Sequence, residues 1–291
     1  MKPRDIGLLV MLSAMWGASF LFIRVAVPAL GPVLLVEARV VIAGAALLLY
    51  AALARKKLGL GGRWRQLALL GLINAALPFV LISTAELRLP ASLATILNAV
   101  TPLAATVLSA VWLKQPLTPL RVAGLVIGIA GVGVVVGFAP IALDGGALLS
   151  IGLMVVAAIS YAFGGIYTRQ AFADVSPLGL SIGQQLAAGI ILAPLAIVSR
   201  PIGPITPTVI GCVLALALLS TAVAYVIYFT LIASAGPTNT LSVTLLNPVF
   251  GVLWGGLFLR EPLTAGQIIG MVITLLGLAL VLGLIPYKRR T

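Results

Sequence analysis

Hydrophobic residues form long, nearly unbroken runs along this chain, without the alternation of apolar and polar positions that marks a half-buried strand. Most runs hold about 20 residues, the length that a helix needs to cross the hydrocarbon core of a bilayer. Strands of a membrane barrel would alternate over about ten residues. The pattern therefore predicts an all-α integral membrane protein with ten transmembrane helices, at residues 6–27, 33–54, 66–85, 91–113, 120–138, 146–168, 178–198, 209–232, 239–259 and 266–285.

Composition supports the membrane interpretation. Hydrophobic residues make up 62% of the 291 residues and charged residues only 8%, whereas soluble domains carry about 25% charged residues. Glycine, proline and charged residues separate the runs, for example at Asp144-Gly145-Gly146 and at Gly236-Pro237. A water-soluble fold of this size could not bury so much apolar surface.

One apolar segment is written twice. The segment TPLAATVLSAVWLKQPLT begins at Thr101, and NPVFGVLWGGLFLREPLT begins at Asn247, 146 residues later. From Pro102 to Gly137 the copies are identical at 11 of 36 positions, several of them proline or glycine. A shift of 145 upstream pairs Trp16 with Tyr161, Arg24 with Arg169, Pro32 with Pro177 and Gly44 with Gly189. These matches predict two related halves, residues 1–140 and 141–291.

The basic residues indicate an orientation, because cytoplasmic loops are enriched in Lys and Arg. With the N-terminus inside, thirteen of the 18 basic residues fall in the tails and the even-numbered connections. Arg24, Arg88, Arg200 and Arg260 fall on the other side, and Arg39 lies within a span. Both termini are therefore expected to be cytoplasmic. The net charge of +12 needs no nucleic-acid partner, since no basic patch is interleaved with polar surface.

The odd number of spans in each half has a topological consequence. Five spans per half place the second half in the membrane upside down, so that Lys114 is expected inside and its counterpart Arg260 outside. Two such halves can adopt each other's conformations, which turns a cavity open to one side into a cavity open to the other. The predicted fold is a 5+5 inverted-topology repeat, and the predicted function class is a secondary transporter that works by alternating access.

Four fragments carry a resemblance to a known family: WGASFLFIR from Trp16, EARVVIAGAALLL from Glu37, LNPVFGVLWGGLFLREPLT from Leu246 and GMVITLLGLALVL from Gly270. They resemble the EamA type of the drug/metabolite transporter superfamily, whose ten-span members include YddG-like amino-acid exporters. The resemblance covers the whole chain. It implies a 5+5 inverted repeat, a central cavity and export of small metabolites across a bacterial inner membrane. The first copy departs from the family's usual ending, since it reads Lys114-Gln115-Pro116 where the second reads Arg260-Glu261-Pro262.

Polar and aromatic residues near the middle of spans are the candidates for a substrate cavity. The resemblance places spans 1, 3, 4, 6, 8 and 9 around that cavity, which favours their residues over Gln184 and Gln185 of span 7. Each candidate has a structural alternative, because Ser, Thr and Asn often bond a neighbouring helix and Trp and Tyr often lie at the membrane interface. The predicted substrate-binding residues are Trp16, Phe20, Asn74, Phe79, Asn98, Thr101, Tyr161, Tyr225, Tyr228, Asn247 and Trp254.

Two other features predict local geometry. Pro78 is expected to bend span 3 and to free a backbone carbonyl. Gly-x-x-x-Gly pairs are typical of closely packed membrane helices, and they occur at Gly124/Gly128, Gly133/Gly137, Gly251/Gly255 and Gly266/Gly270.

The ionisable residues limit the chemistry. There is no His, and Cys212 is the single Cys, so we expect no metal, no cofactor and no enzyme activity. Counting along the helix puts Glu37 and Arg39 in the outer third of the bilayer, and the central cavity is expected to be charge-poor. The predicted gating or ion-pair residues are Arg24, Glu37, Arg39, Glu86 and Arg88. Binding of a substrate carboxylate or ammonium group by Arg39 or Glu37 is the alternative.

Together these features predict export of small amphipathic metabolites, above all amino acids, including aromatic and hydrophobic ones. Nucleotide-sugar or lipophilic-drug transport is the alternative within the superfamily, and an integral membrane enzyme is the alternative from another class. The expected partners are the small-molecule substrate and the lipid bilayer, for a monomer or alternatively a homodimer in the bacterial inner membrane. Only Glu37 and Glu86 are acids placed for proton coupling, so we expect weak coupling or facilitated flux.

Overall fold

The structure is a computed structural model that describes residues 2–235, 240 and 242–284. These residues form helices and no strand, as predicted for an all-α protein. The helices are α1 (Pro3–Leu53), α2 (Trp64–Gly71), α3 (Leu77–Ala85), α4 (Ala91–Asn98), α5 (Thr101–Trp112), α6 (Pro119–Gly137), α7 (Gly145–Ala171), α8 (Pro177–Val198), α9 (Pro207–Leu214), α10 (Ala224–Ala235), α11 (Val243–Leu259) and α12 (Ala265–Val281). Two π-helical segments, Leu72–Ala76 and Ala215–Val223, join α2 to α3 and α9 to α10.

Seven helical stretches in the described residues are long and apolar enough to cross a membrane, and α11 and α12 are shorter apolar helices of 17 residues each. The first stretch, α1, has 51 residues. A straight helix of that length would extend about 76 Å, more than twice the hydrocarbon thickness. Gly31 divides α1 with a φ of 74° and a ψ of 163°, a conformation that glycine adopts without steric cost. We call residues 3–30 α1a and residues 32–53 α1b; they correspond to the first two predicted spans.

Some predictions fall on other parts of the chain. Gly236-Pro237, the predicted start of span 9 at residue 239, the predicted end of span 10 at residue 285 and the basic C-terminal tail lie outside the described residues.

The third span is not a regular α-helix in its middle. Pro78 has no N–H to donate to the carbonyl of Asn74, and the π-helical segment Leu72–Ala76 ends just before the proline. The hydroxyl of Ser160 donates to the carbonyl of Ile73 at 2.6 Å. A shift of 145 places residues 72–76 on residues 217–221, inside the second π-helical segment, so both halves are irregular at the same level. Such π segments occur frequently at functional sites.

The fourth span is interrupted between α4 and α5. Pro102 has no N–H for the carbonyl of Asn98, and the hydroxyl of Thr101 donates to this carbonyl instead, at 2.8 Å. The break leaves a turn at residues 99–100, so that α4 is a helix of eight residues with its own N-terminus.

Glycine residues bring α6 and α12 into close contact. A Cβ atom built on Gly124 would lie 2.7 Å from the carbonyl oxygen of Gly277, and one built on Gly131 would lie 2.9 Å from that of Gly270. The two helices are antiparallel, because Gly124 meets Gly277 whereas Gly131, further along α6, meets Gly270, which lies earlier in α12. The predicted close packing is thus confirmed for the pairs Gly124/Gly128, Gly251/Gly255 and Gly266/Gly270. It is wrong for Gly133/Gly137, which lie on an exposed face where a Cβ would meet nothing within 4 Å.

A second antiparallel contact joins α1b to α8. A Cβ on Gly44 would lie 3.0 Å from the side chain of Leu186, and a Cβ on Gly189 would lie 3.0 Å from the side chain of Val41. The shift of 145 that relates the halves maps the first of these contacts onto the second. The two contacts are therefore reciprocal, since each glycine meets the counterpart of the residue that the other glycine meets.

The connections gather at two ends of the molecule, and each end has an ion pair. Arg63 donates two 2.7 Å hydrogen bonds to Asp174, which lower the pKa of Asp174 and raise that of Arg63. At the other end Arg88 lies 3.2 Å from Asp144. The first-turn amide of α7, and then Arg88, hold the pKa of Asp144 below its usual value.

Candidate functional site

Arg39, in α1b, is a buried cation in the interior of the helix bundle. Its side chain is 8% exposed, and the ion pairs found in the described residues do not include it. The Nε group donates to the hydroxyl of Thr221 at 3.1 Å, and the guanidinium carbon lies 3.7 Å from the centroid of the Phe79 ring. This hydrogen bond uses one of the five N–H groups of Arg39. Its terminal nitrogen atoms therefore form a donor set that suits an anion.

The position of Arg39 corrects one prediction from the sequence. Thr221 is the fifteenth of the 26 residues in the stretch Pro207–Ile232, so the Arg39 head group lies at mid-span and not in the outer third. Counting residues gave the depth of the Cα atom, but the long side chain carries its charge further. The middle of the bundle is therefore not charge-poor, since it holds one cation.

Two groups of aromatic rings belong to the surroundings of this cation, one of which includes the Phe79 ring that Arg39 contacts. The rings of Phe79 and Tyr161 are 6.3 Å apart. Trp16 contacts Tyr225 at 6.4 Å and Tyr228 at 5.6 Å between ring centroids. Glu86 is the acidic residue that acts electrostatically on Arg39, and the two do not form an ion pair in the described residues. Five predicted substrate-binding residues are thus brought together in one site, from helices that belong to both halves of the chain.

An amide network completes the site. The side chain of Asn74 donates to the Gln184 carbonyl oxygen at 2.8 Å, and the Gln184 amide donates to the Tyr225 hydroxyl at 3.1 Å. The resemblance favoured other spans over span 7, yet the Gln184 side chain bonds two of the predicted substrate-binding residues. A signal was present in the sequence, since the shift of 145 aligns Gln184 with Arg39. One half supplies a cation at this level and the other half an amide.

The remaining predicted substrate-binding residues make other contacts. Phe20 is 6% exposed within a hydrophobic cluster, and the Trp254 indole donates to a backbone carbonyl of α1a at 3.0 Å. Asn98 and Asn247 each have a buried side-chain oxygen without a partner in the described residues, and Thr101 bonds the Asn98 backbone. Their described hydrogen bonds do not connect them with Arg39.

The other charged candidates lie nearer the ends of spans. Arg24 donates to the backbone carbonyl of Glu86, whose side chain is fully buried. One carboxylate oxygen of Glu37 is buried without a partner in the described part of the chain. Arg88 pairs with a loop residue, as described above. No two of the predicted gating residues form an ion pair with each other within the described residues.

The donor set of the site does not suit a metal. Within the described ranges, no three side chains of His, Cys, Asp or Glu are grouped closely enough to hold one. What the site combines is one buried cation, aromatic faces and amide groups. That combination can bind an amphipathic molecule that carries a carboxylate or another small anionic group.

Comparisons with known proteins agree with this architecture. The EamA-like transporter family profile matches the chain twice, at residues 5–137 and 148–283. A protein named uncharacterized transporter YvbV, from Bacillus subtilis, is 27% identical over 286 residues, which cover 96% of this chain and 92% of that protein. PecM from Dickeya dadantii is 26% identical over 278 residues, 94% and 91% of the two chains. The uncharacterized inner membrane transporter YedA from Escherichia coli K12 is 28% identical over 259 residues, 86% and 81% of the two chains.

A solved crystal structure shares the fold. It is 20% identical in sequence and superposes with a TM-score of 0.70 over 96% of each chain. The family profile covers most of the chain, and the relatives named as transporters match along nearly all of it. The chain is therefore a multi-pass membrane transporter that belongs to the EamA-like transporter family.

Proposed function

We propose that this protein is a secondary transporter that exports small amphipathic metabolites, above all amino acids, across a bacterial inner membrane. The observation that carries the proposal is the buried guanidinium of Arg39, which has aromatic and amide neighbours and no acidic partner in the described residues. The Thr221 hydrogen bond and the Phe79 contact offset the cost of burying this cation, but they do not neutralise its charge. A substrate carboxylate would supply the missing anion in each transport cycle.

The chemistry of the site matches the two ends of a hydrophobic or aromatic amino acid. The terminal nitrogen atoms of Arg39 can hold the carboxylate in a bidentate geometry. The rings of Trp16, Tyr228 and Tyr161 offer apolar and aromatic surface for the side chain. The ammonium group would face Tyr225 and Gln184, whose oxygen atoms can accept hydrogen bonds.

Alternating access in a 5+5 inverted repeat is the mechanism that we propose for this site. Three observations support it: the family profile matches each half separately, both halves contain a π-helical segment at equivalent positions, and the equivalent helices α6 and α12 are antiparallel. The contact of α1b with α8 has the same reciprocal form. Halves of opposite orientation can exchange conformations, so the Arg39 site would open in turn to each side.

The orientation and the assembly are also part of the proposal. The basic residues favour cytoplasmic termini, which would place Arg63 and Asp174 inside, and Arg88 and Asp144 outside. The site is complete within one chain, which favours a monomer, with a homodimer as the alternative. The amphipathic binding site without a metal-ligand set favours transport over enzyme activity.

Nucleotide-sugar transport is the second candidate, because Arg39 could also bind a phosphate group. A diphosphate carries more negative charge than one guanidinium neutralises, and further cations would be expected beside it. Arg39 is the one Lys or Arg side chain that is buried in the described residues. The charge of the site therefore fits a single carboxylate better than a diphosphate.

Flux through the purified protein in liposomes tests these alternatives. We expect labelled phenylalanine and leucine to exchange across the membrane, whereas nucleotide sugars and lipophilic dyes should not. Each substrate should be measured with and without a pH gradient, because weak coupling or facilitated flux is expected. Transport of nucleotide sugars without transport of amino acids would refute the proposal.

A further inference from the structure

Glu86, in the connection between α3 and α4, is a buried acidic residue that the proposed substrate site does not use. Its side chain is 0% exposed. Both of its carboxylate oxygen atoms are buried and have no hydrogen-bond partner in the described part of the chain. An acidic group in that environment is far more costly to bury when ionised than when protonated.

The charged groups around Glu86 do not form an ion pair with it. Arg24, Glu261 and Arg39 are the charged residues that act on it electrostatically. Arg24 donates to the backbone carbonyl of Glu86, not to its carboxylate. Arg39 bonds Thr221. The carboxylate of Glu86 is thus surrounded by charges whose hydrogen bonds are directed elsewhere.

Glu261 makes a contact at this end of the molecule. Its two carboxylate oxygen atoms accept hydrogen bonds from the backbone N–H groups of Ala91 and Ser92, at 2.7 and 2.9 Å. These are the first two residues of α4, where an anion is favoured by the free N–H groups and the helix dipole. The counterpart of Glu261 in the first half is Gln115, which is exposed. At the end of the bundle that contains Glu86, these two hydrogen bonds therefore connect α4 to the segment that follows α11 in this conformation.

We propose that Glu86 is a proton-binding site that controls the opening of this end of the transporter. The protonated side chain is compatible with the closed contact between Glu261 and α4. Loss of the proton leaves a buried, unpartnered carboxylate, which is relieved when α4 moves away and water and Arg24 reach it. The role of this proton-binding site rests on the proposed transport function. The effect of Glu86 protonation on the opening can nevertheless be measured in the protein without substrate.

The direction of the pH effect follows from linkage. The closed form binds one proton more than the open form, so the open form is favoured as the pH rises. Because Glu86 meets water when its own end opens, the proton returns to the side from which it came. Glu86 therefore sets how readily this end opens and does not carry protons across the membrane.

Thiol labelling can measure the opening. In a Cys212→Ala background, Ser92→Cys places a thiol at a position that is 1% exposed and lies at the contact with Glu261. The matched control is Ile202→Cys, a 66% exposed position in a loop that bonds the Ala29 backbone. The labelling rate of each thiol by a polar maleimide is measured in lipid nanodiscs. Both rates increase with pH because the thiolate is the reacting form, and this common effect cancels in the ratio of the Ser92→Cys rate to the Ile202→Cys rate.

We expect this ratio to rise with pH, by up to about tenfold per pH unit for one linked proton. Glu86→Gln should abolish the rise, and Asp174→Asn, which removes a loop carboxylate that pairs with Arg63, should retain it. If Glu86→Gln does not assemble, Glu86→Asp keeps a titrating group and should retain the rise with a displaced midpoint. A ratio that does not change with pH in the parent protein, or a rise that persists in Glu86→Gln, would overturn the proposal.

Infrared spectroscopy gives a second readout that needs neither transport nor cysteine variants. At neutral pH the protein should show the carbonyl stretch of a protonated carboxyl group, and this band should be missing in Glu86→Gln and present in Glu37→Gln. Absence of the band in the parent protein would overturn the proposal. Both measurements are made without substrate, so their result is independent of whether phenylalanine is transported.

Discussion

Replacing Arg39 with Met separates a substrate-binding role of this residue from a structural one. A charged residue at the centre of a spanning helix costs about 2.5–3.5 kcal/mol on insertion scales. The Thr221 hydrogen bond offsets about 1.5–3 kcal/mol of this cost, as a bond from a charged donor, and the contact with Phe79 about 2 kcal/mol, as a desolvated cation–π pair. Since cost and compensation nearly cancel, Arg39→Met should change the free energy of unfolding by no more than about 2 kcal/mol.

Substrate binding should respond very differently. A charge-assisted hydrogen bond contributes about 1.5–3 kcal/mol, and a carboxylate held by two terminal nitrogen atoms of Arg39 would lose two such bonds. We therefore expect the half-saturating concentration of phenylalanine to rise at least about 100-fold in Arg39→Met, at tenfold per 1.4 kcal/mol. Arg39→Lys keeps the charge and loses the planar fork, so its loss should be intermediate, about tenfold.

Two measurements on the same preparations test this reasoning. Thermal unfolding reports stability, and phenylalanine exchange in liposomes reports binding and transport. Arg169→Met, which removes an exposed arginine at the end of α7, is the control for loss of one positive charge. Full exchange by Arg39→Met would refute the binding role. A large loss of thermal stability in that variant would show that Arg39 is structural.

Three further substitutions probe other parts of the structure. Gln184→Leu removes the amide that links two helices in the site. In exchange assays the half-saturating concentration of phenylalanine should rise about 5–20-fold. An unchanged value would place Gln184 outside the site. Gly277→Val puts a side chain against the α6 backbone and should lower stability by about 1–3 kcal/mol or prevent assembly, whereas Gly133→Val, with open space at its Cβ, should unfold like the parent protein. Arg63→Gln should lower the unfolding temperature at neutral pH. Hydrogen bonds from Arg63 lower the pKa of Asp174 in the folded protein. Their contribution to the free energy of unfolding is therefore fully present above the unfolded pKa of about 3.9 and is lost as the pH falls through the lower folded pKa. A difference in unfolding temperature between Arg63→Gln and the parent protein that persists in strong acid would contradict this origin.

Much of the architecture follows from the linear pattern of residues. Apolar runs of this length form membrane-spanning helices, because lipid offers no hydrogen-bond partners and a helix satisfies its own backbone N–H and C=O groups. The repeat is visible in the sequence because Pro, Gly and basic residues recur at a fixed spacing. This spacing makes α6 equivalent to α12 and α1b equivalent to α8, and the contacts of Gly124 with Gly277 and of Gly44 with Leu186 join these equivalent helices. A single helix needs only local information, so the presence of apolar helices and their approximate bounds can be predicted from the sequence.

The site is a different matter, because it depends on side-chain reach and on how the helices rotate. Arg39 was expected near the outer level, and its head group lies at mid-span against Phe79 and Thr221. Gln184 was set aside and turns out to link Asn74 with Tyr225. Residues from six spanning segments meet here, and no local pattern in the sequence shows which helix faces will converge.

The sequence by itself determined that this chain is helical, lies in a membrane, contains an internal repeat and resembles one transporter family. These properties can be read from composition, from the length of apolar runs and from proline and glycine residues that recur at a fixed spacing. Only the tertiary structure decided which polar groups meet in the interior. Arg39 came to lie against the Phe79 ring, and the Glu86 carboxyl group came to be buried without a hydrogen-bond partner among the described residues. Such pairings depend on the packing of helices distant in sequence, and a shift of one turn in any of them would change every partner.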